Sequence, residues 1–439
     1  MVEKKTIIND TLSIIIGKIE NTKIIKLHNE NLQTIGELSF PINFSAWKNL
    51  VDIEESSKEP QNILEYYLQR VGKDTINLSL KEIEHQALEL IKLASNDKSW
   101  TISKICLIKN RVCIFIDRTT IISSIIKQVI KENKSFGKDI NKNTSISIKI
   151  NEDFESNITT ARLKELKNFT ENILKIQGYK ITIDNAQLKV LLSSKSQVKI
   201  DDDDVKIIVC GVVKNYKTQS KEISLNFDTY LNEKLDEVRE LNNARMSESI
   251  TEISNQDELR LTTIARSILI FELLGFRPSR SVVLGGNKEE ENPNCRIKAG
   301  AFVLYNVARI ETILRTFKER QASGLYPDNF NIDDVDFGIL QSEQEWNLIW
   351  NFILGYKETL LNSVNYTGEN LELCPQNFIS FLSNWSYQFS VYYHRTRILT
   401  DGNKNLTSSM LVRIYLLKSF LIIINNALET MGLATVSSM

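Results

Sequence analysis

Two long apolar stripes at helical spacing dominate the second half of this chain of 439 residues. Val303, Val307, Ile310, Leu314 and Phe317 recur every three or four positions, as do Met410, Ile414, Leu417, Leu421, Ile424 and Leu428. That period puts each set on one face of a helix. Such faces are buried only by packing helix on helix, so an all-helical bundle is expected from residue 229 to the end. Its connections fall at the turn-forming stretches SGLYPDN (323–329) and TDGNKN (400–405).

The first half mixes two periods. Residues 60–72 and 80–94 read as helices, and RVCIFID (111–117) reads as a strand. Thr119 and Thr120 are expected to cap a following helix with apolar pairs at 121–122, 125–126 and 129–130. SISIKI (145–150) alternates as a strand, residues 160–177 carry a helical stripe ended by Gly178, and YKITID resumes as a strand. The acidic run Asp201–Asp204 and a strand VKIIVCGVV close this half. The order is β-α-β, so the fold class expected is α+β: an α/β N-terminal half followed by the helical bundle. Boundaries are placed at 1–138, 139–228 and 229–439.

Composition removes several functions. With 42% apolar and 25% charged residues, the chain is a folded protein rather than a disordered one. Lys and Arg number 54 against 55 Asp and Glu, so nucleic-acid binding has to use local patches. The apolar run Leu416–Ile424 is interrupted by Lys418 and is expected to be too short for a bilayer. The N-terminus lacks the apolar core of a signal peptide, so no membrane partner is expected. Five scattered cysteines suit a reducing compartment, and a cytoplasmic location is the expectation. His28, His85 and His394 are the only histidines, and there is no C-x-x-C, so neither a metal nor a cofactor is expected. Gly285-Gly286 reads as a connector rather than a phosphate cradle, and Asp201–Asp204 as a solvated turn rather than a cation site.

Several segments carry a family resemblance. AGAFVLYNVARIETILRTF (299–317), SVYYHRTRIL (390–399) and LVRIYLLKSFLIIINNALETMGLATVSSM (411–439) resemble the DALR anticodon-binding domain of arginyl-tRNA synthetases. RVCIFIDRTTIISSIIKQVIKENKSFG (111–137) resembles the end of the synthetase N-terminal domain, and residues 145–184 resemble the start of its catalytic domain. Where that family holds ATP with H-I-G-H, this sequence has Asn157, Ile158, Thr159 and Thr160, followed by a matching Ala161-Arg162. The second motif, K-M-S-K, survives only as the echo Arg245-Met246-Ser247-Glu248, with a carboxylate where a triphosphate needs a cation. GLYPDNFNIDDVDFGILQSEQEWNLIWNFIL (324–354) is similar to synthetase-like proteins that lack the catalytic centre. The resemblance implies a pseudo-synthetase that is not itself an enzyme. It implies two partners: arginine tRNAs, and a tRNA 3-methylcytidine methyltransferase that modifies the anticodon loop. An active arginyl-tRNA synthetase and a general interaction module without RNA are the alternatives.

The tRNA contacts implied are Tyr305, Arg309, Arg320, Tyr392, Tyr393, Arg395, Arg397, Arg413 and Met439. They lie in locally basic stretches: residues 295–320 hold six Lys and Arg against two Glu, and 391–418 hold five against Asp401. Aromatic rings stack on unpaired bases while cations meet phosphates. Tyr305 and Arg309 are four apart, hence on one helix face, with Arg320 on the same side. Each has a plainer alternative: Arg309 in a buried ion pair, Tyr305 in the core, Tyr392, Arg395 and Arg413 on a solvated face, Met439 in a frayed terminus.

Overall fold

The structure, a computed structural model, describes residues 3–51, 59–199, 204–245, 255–284, 296–327, 331–400 and 407–435. The chain divides into two compact units. One comprises Met1–Gln128, Asn331–Gly355 and Leu411–Arg413; the other comprises Val129–Phe330, Tyr356–Met410 and Ile414–Met439. The boundaries expected at 138 and 228 do not coincide with this division. Residues 139–228 and most of the helical bundle fall in one unit, and residues 331–355 return to the N-terminal one.

The first unit begins with α1 (Lys4–Ile16), β1 (Lys26–Leu27), α2 (Leu32–Ile35) and β2 (Leu38–Pro41). It continues through α3 (Ile63–Arg70), α4 (Leu80–Ala94), β3 (Ile102–Ile108), β4 (Arg111–Ile116) and α5 (Arg118–Glu132). The strands form an antiparallel sheet in the order β1-β2-β4-β3. Ser79 and Glu82 make a capping box for α4, whose Ile83, Ala87 and Ile91 face the core. The start of α5 differs from expectation. Asp117 rather than a threonine caps it, accepting the Thr119 N–H at 3.2 Å and the Thr120 hydroxyl at 3.0 Å. Glu37 is fully buried and binds the segment 331–355 to the sheet. Its carboxylate accepts from the Ile116 N–H at 2.8 Å, Arg118 at 3.1 Å and Trp346 Nε1 at 2.8 Å.

The second unit opens with β5 (Ser145–Asn151) and α6 (Asn157–Ile176), then β6 (Lys180–Ile181), β7 (Leu188–Ser193), β8 (Val205–Val209) and β9 (Val213–Asn215). The parallel order β6-β5-β7-β8 is the β-α-β arrangement anticipated, although YKITID supplies only two strand residues. VKIIVCGVV splits in two at Cys210-Gly211, where a Cβ on Gly211 would lie 2.3 Å from the Arg280 backbone. Beyond it β9 leaves that sheet and pairs with β10 (Val282–Leu284).

Helices follow: α7 (Phe227–Arg245), α8 (Asn255–Leu274) and α9 (Arg296–Ala322). After Glu343–Leu348 (α10) come α11 (Tyr356–Ser363), the hairpin β11 (Val364–Tyr366) and β12 (Leu371–Leu373), α12 (Pro375–Arg395) and α13 (Thr407–Thr430). The bundle is therefore helical with a small hairpin rather than purely helical. The run Leu416–Ile424, expected to be too short for a bilayer, belongs to the 24-residue α13, which is long and apolar enough to cross one. Of that apolar stretch 61% is buried inside the protein, as in a core helix.

Candidate nucleic-acid interface

On the outer side of α9, three side chains converge with one from α12. Arg309 donates to the Tyr305 hydroxyl at 2.6 Å, and its guanidinium lies 4.5 Å from the Tyr305 ring and 4.2 Å from the Tyr393 ring. Phe302 stacks on Tyr305, with ring centroids 6.4 Å apart and planes at 10°. Phe302 and Tyr305 are exposed. A cation beside aromatic rings at a surface has the chemistry to meet phosphates and bases, and equally to hold two helices together.

The position of Tyr393 is fixed from the interior. Asn306, fully buried in the apolar stripe of α9, donates to Ser386 Oγ at 2.7 Å and to the Ser386 carbonyl at 3.2 Å. Ser386 returns a bond to the Phe302 carbonyl at 3.0 Å. This lock sets the register of α12 against α9, and Tyr393 lies two turns along from Ser386. Sequence reasoning passed over Phe302, Asn306 and Ser386. The signals were present: Phe302-Tyr305-Arg309 at i, i+3, i+7 spacing, and an asparagine inside an apolar stripe.

The other residues expected at the interface scatter. Tyr392 is 1% exposed, so it belongs to the core and offers no ring to a base; its neighbour Tyr393 points the other way round the helix. Arg320 is half-buried and structural, donating to the Tyr326 hydroxyl at 2.8 Å and the Thr400 carbonyl at 3.4 Å. Arg413 pairs with the buried Glu345 at 3.0 Å and belongs to the first unit. Arg395 and Arg397 are exposed near the end of α12, with Arg397 donating to the Leu399 carbonyl at 3.2 Å. Met439, Asp201–Asp203, Gly285-Gly286 and Met246-Ser247-Glu248 lie outside the described residues. Among the described residues, no three His, Cys, Asp or Glu side chains gather as a metal site would.

Residues 303–439 match the family of the DALR anticodon binding domain. The DALR anticodon-binding domain-containing protein 3 of Danio rerio is 25% identical over 233 residues, covering 52% of this chain and 40% of that protein. The Mus musculus protein of the same name is 29% identical over 170 residues, 38% of this chain and 31% of that one. The chain thus spans less than half the length of these curated relatives in the matched regions. In three dimensions it resembles arginyl-tRNA synthetases. The Thermus thermophilus enzyme covers 100% of both chains with a TM-score of 0.60 at 9% identity. The Plasmodium falciparum enzyme covers 99% of this chain and 98% of its own, with a TM-score of 0.56 at 9% identity. The fold is that of a synthetase carrying a DALR domain at its C-terminus.

The start of α6, outside the DALR match, is where the resemblance places the nucleotide motif. Asn157 Oδ1 accepts the Phe227 N–H at 3.0 Å. Ile158 is fully buried among Val213, Tyr230, Leu269, Leu273, Val282 and Leu284. Thr159 Oγ1 accepts the Val213 N–H at 3.1 Å, and Thr160 Oγ1 both accepts from the Asp153 N–H at 2.8 Å and donates to its carbonyl at 3.1 Å. Arg162 is fully buried, its guanidinium serving the carbonyls of Leu273 at 3.1 Å, Arg280 at 2.9 Å and Gly211. Burial pulls its pKa down to about 10. All four motif positions serve the protein's own packing or backbone.

Proposed function

We propose that this chain is a non-catalytic adaptor for tRNA. It recognises arginine tRNAs through its DALR domain and presents them to a separate tRNA 3-methylcytidine methyltransferase, which modifies a cytidine of the anticodon loop. The observation that carries the reading is Arg309 held between Tyr305 and Tyr393 on the surface of that domain. The polar side chains of Asn157, Thr159 and Thr160, engaged with the protein's own backbone, support a role without aminoacylation, because they leave no imidazole pair for a triphosphate. A tRNA held beside an enzyme reacts at a raised effective concentration, and the choice of tRNA then follows from the adaptor. The site of action on this reading is the cytoplasm.

The test is a reconstituted methylation assay with arginine and non-arginine tRNAs, with and without this chain. Stimulation confined to arginine tRNAs, and dependent on the added enzyme, is the expected result. Equal stimulation of every tRNA, or arginine-dependent pyrophosphate exchange by the chain alone, contradicts the reading.

A further inference from the structure

α9 has a second functional face. Opposite Phe302, Tyr305 and Arg309, the helix turns Glu311, Leu314, Arg315 and Lys318 toward α13. With Lys418, Leu421 and Ile422 of α13 and Ile130 they line a groove of about 510 Å³. Its floor is aliphatic. Its rim carries Arg315, Lys318 and Lys418 against the single carboxyl of Glu311. Lys318 and Arg315 are exposed, whereas Lys418 is half-buried beside the Tyr415 ring at 4.8 Å. Burial and the neighbouring Lys318 charge push the Lys418 ammonium below its usual range, and burial pushes the Glu311 carboxyl up. Two like charges kept near an apolar floor leave an excess of positive charge for which the groove itself holds too few carboxylates.

We infer that this groove docks a helical segment of a protein partner bearing an apolar stripe flanked by carboxylates. The floor decides against RNA as the occupant. The cations of the rim suit phosphates and carboxylates alike, but the floor of Ile130, Leu314, Leu421 and Ile422 gives bases no aromatic ring to stack on and suits aliphatic side chains. An amphipathic helix lays aliphatic anchors on such a floor and its acids meet the rim. One helix would then hold tRNA on one side and protein on the other, so both ligands bind at once. Identification of that protein with the methyltransferase rests on the adaptor reading above; the chemistry of the groove does not.

The experiment uses the full chain and a labelled synthetic helical peptide with a leucine stripe flanked by glutamates. Wild type is expected to bind it, and to lose affinity when the leucines become serine or the glutamates lysine. The exposed pair Arg315→Glu and Lys318→Glu should weaken binding about tenfold or more, with anticodon-arm RNA affinity unchanged. Unchanged peptide affinity in that double variant overturns the inference, and so does an equal loss of RNA affinity, which makes the groove an RNA track. Co-elution with a 3-methylcytidine methyltransferase in the absence of RNA separates the two readings. If wild type binds the peptide but not the enzyme, the adaptor reading fails and the groove stands. If wild type and double variant bind the enzyme equally, the groove is not the docking surface.

Discussion

At the start of α6 the side chains of Thr159 and Thr160 face inward and that of Asn157 is exposed, and all three serve backbone groups of the protein itself. On the outer side of α9 and α12, in the same unit, Phe302 and Tyr305 are exposed and Arg309 lies between two rings. Both regions use short polar contacts, yet they differ in what those contacts hold. The first ties loops to a helix at the place where the resemblance puts a nucleotide, beside a cleft of about 250 Å³ lined by Asn157, Thr160 and Phe227. The second fixes a flat cationic surface without closing it. Polar groups that serve no ligand find partners in the protein's own backbone, because a buried group left unsatisfied is costly. A surface offered to a ligand has to stay open and be held from behind, as Asn306 and Ser386 hold α12 against α9.

The sharpest way to break this contrast is to put a histidine back. Thr160→His inserts a ring into a buried position and removes both contacts to Asp153. Overpacking together with an orphaned N–H should cost about 2–4 kcal/mol, read by urea unfolding. Wild-type stability in this variant would mean that the Thr160 contacts to Asp153 hold nothing in place and that the contrast is mistaken. The double variant with Asn157→His should still give no pyrophosphate exchange.

Acid should distinguish the two regions next. Glu222 accepts from Asn215 at 2.6 Å, Ser224 N–H at 2.9 Å, Ser224 Oγ at 2.6 Å and Leu225 N–H at 3.1 Å. Burial raises its pKa, but these donors together hold it down to about 2, from an ordinary 4.5. A carboxyl depressed in the folded state contributes stability above pH 4.5, and that stability is lost as pH falls from 4.5 toward 2. Glu222→Gln should flatten the acid limb of the unfolding profile over that window. An unchanged limb would show that the loop over α6 owes nothing to this carboxylate.

The outward region is probed by its support and then by its surface. Asn306→Ala removes both donations to Ser386 in the core, leaving only the Ser386 bond to the Phe302 carbonyl, and should cost about 1–2 kcal/mol of stability, with tRNA affinity falling as Tyr393 shifts. Arg309→Ala should cost about 1–2 kcal/mol of tRNA binding while thermal stability stays near wild type. Arg309→Lys should recover only part of that, since an ammonium lacks the planar face that two rings can hold. If Arg309→Ala unfolds the protein instead, the arginine is a structural clamp like Arg162.

Much of this was legible in the sequence, for identifiable reasons. Helices and strands with one apolar face, such as 80–94, 111–117 and the stripe through 303–317, announce themselves by period. Tyr305 and Arg309 were paired by a four-residue spacing that a helix enforces. What the sequence hid depends on neighbours distant along the chain. Tyr392 and Tyr393 are adjacent and chemically alike, and only the packing of α12 sends one inward and the other to Arg309. Arg320 and Arg413 look like RNA-binding cations until Thr400 and Glu345 are found beside them. The return of 331–355 to the N-terminal unit is likewise a tertiary fact, secured by Trp346 on Glu37.

The smallest effects are expected at Arg395 and Arg397. Both are exposed, Arg395 at the end of α12 and Arg397 just beyond it, about a turn past Tyr393. A solvated cation near a phosphate contributes by releasing counterions rather than by a fixed contact, and long side chains give up rotamer freedom to stay there. Arg395→Ala and Arg397→Ala should each weaken tRNA binding by less than about 1 kcal/mol at moderate salt. Each should also lower the slope of log affinity against log salt by about one. Arg309→Ala should change that slope by a similar amount while losing more affinity, because stacking survives salt and charge does not. The measurement is a salt titration of anticodon-arm binding for all three variants. Equal affinity losses across the three at high salt would show that Arg309 acts as one more surface charge. The two rings around it would then be packing, and the contrast between the two regions would rest on the inward one alone.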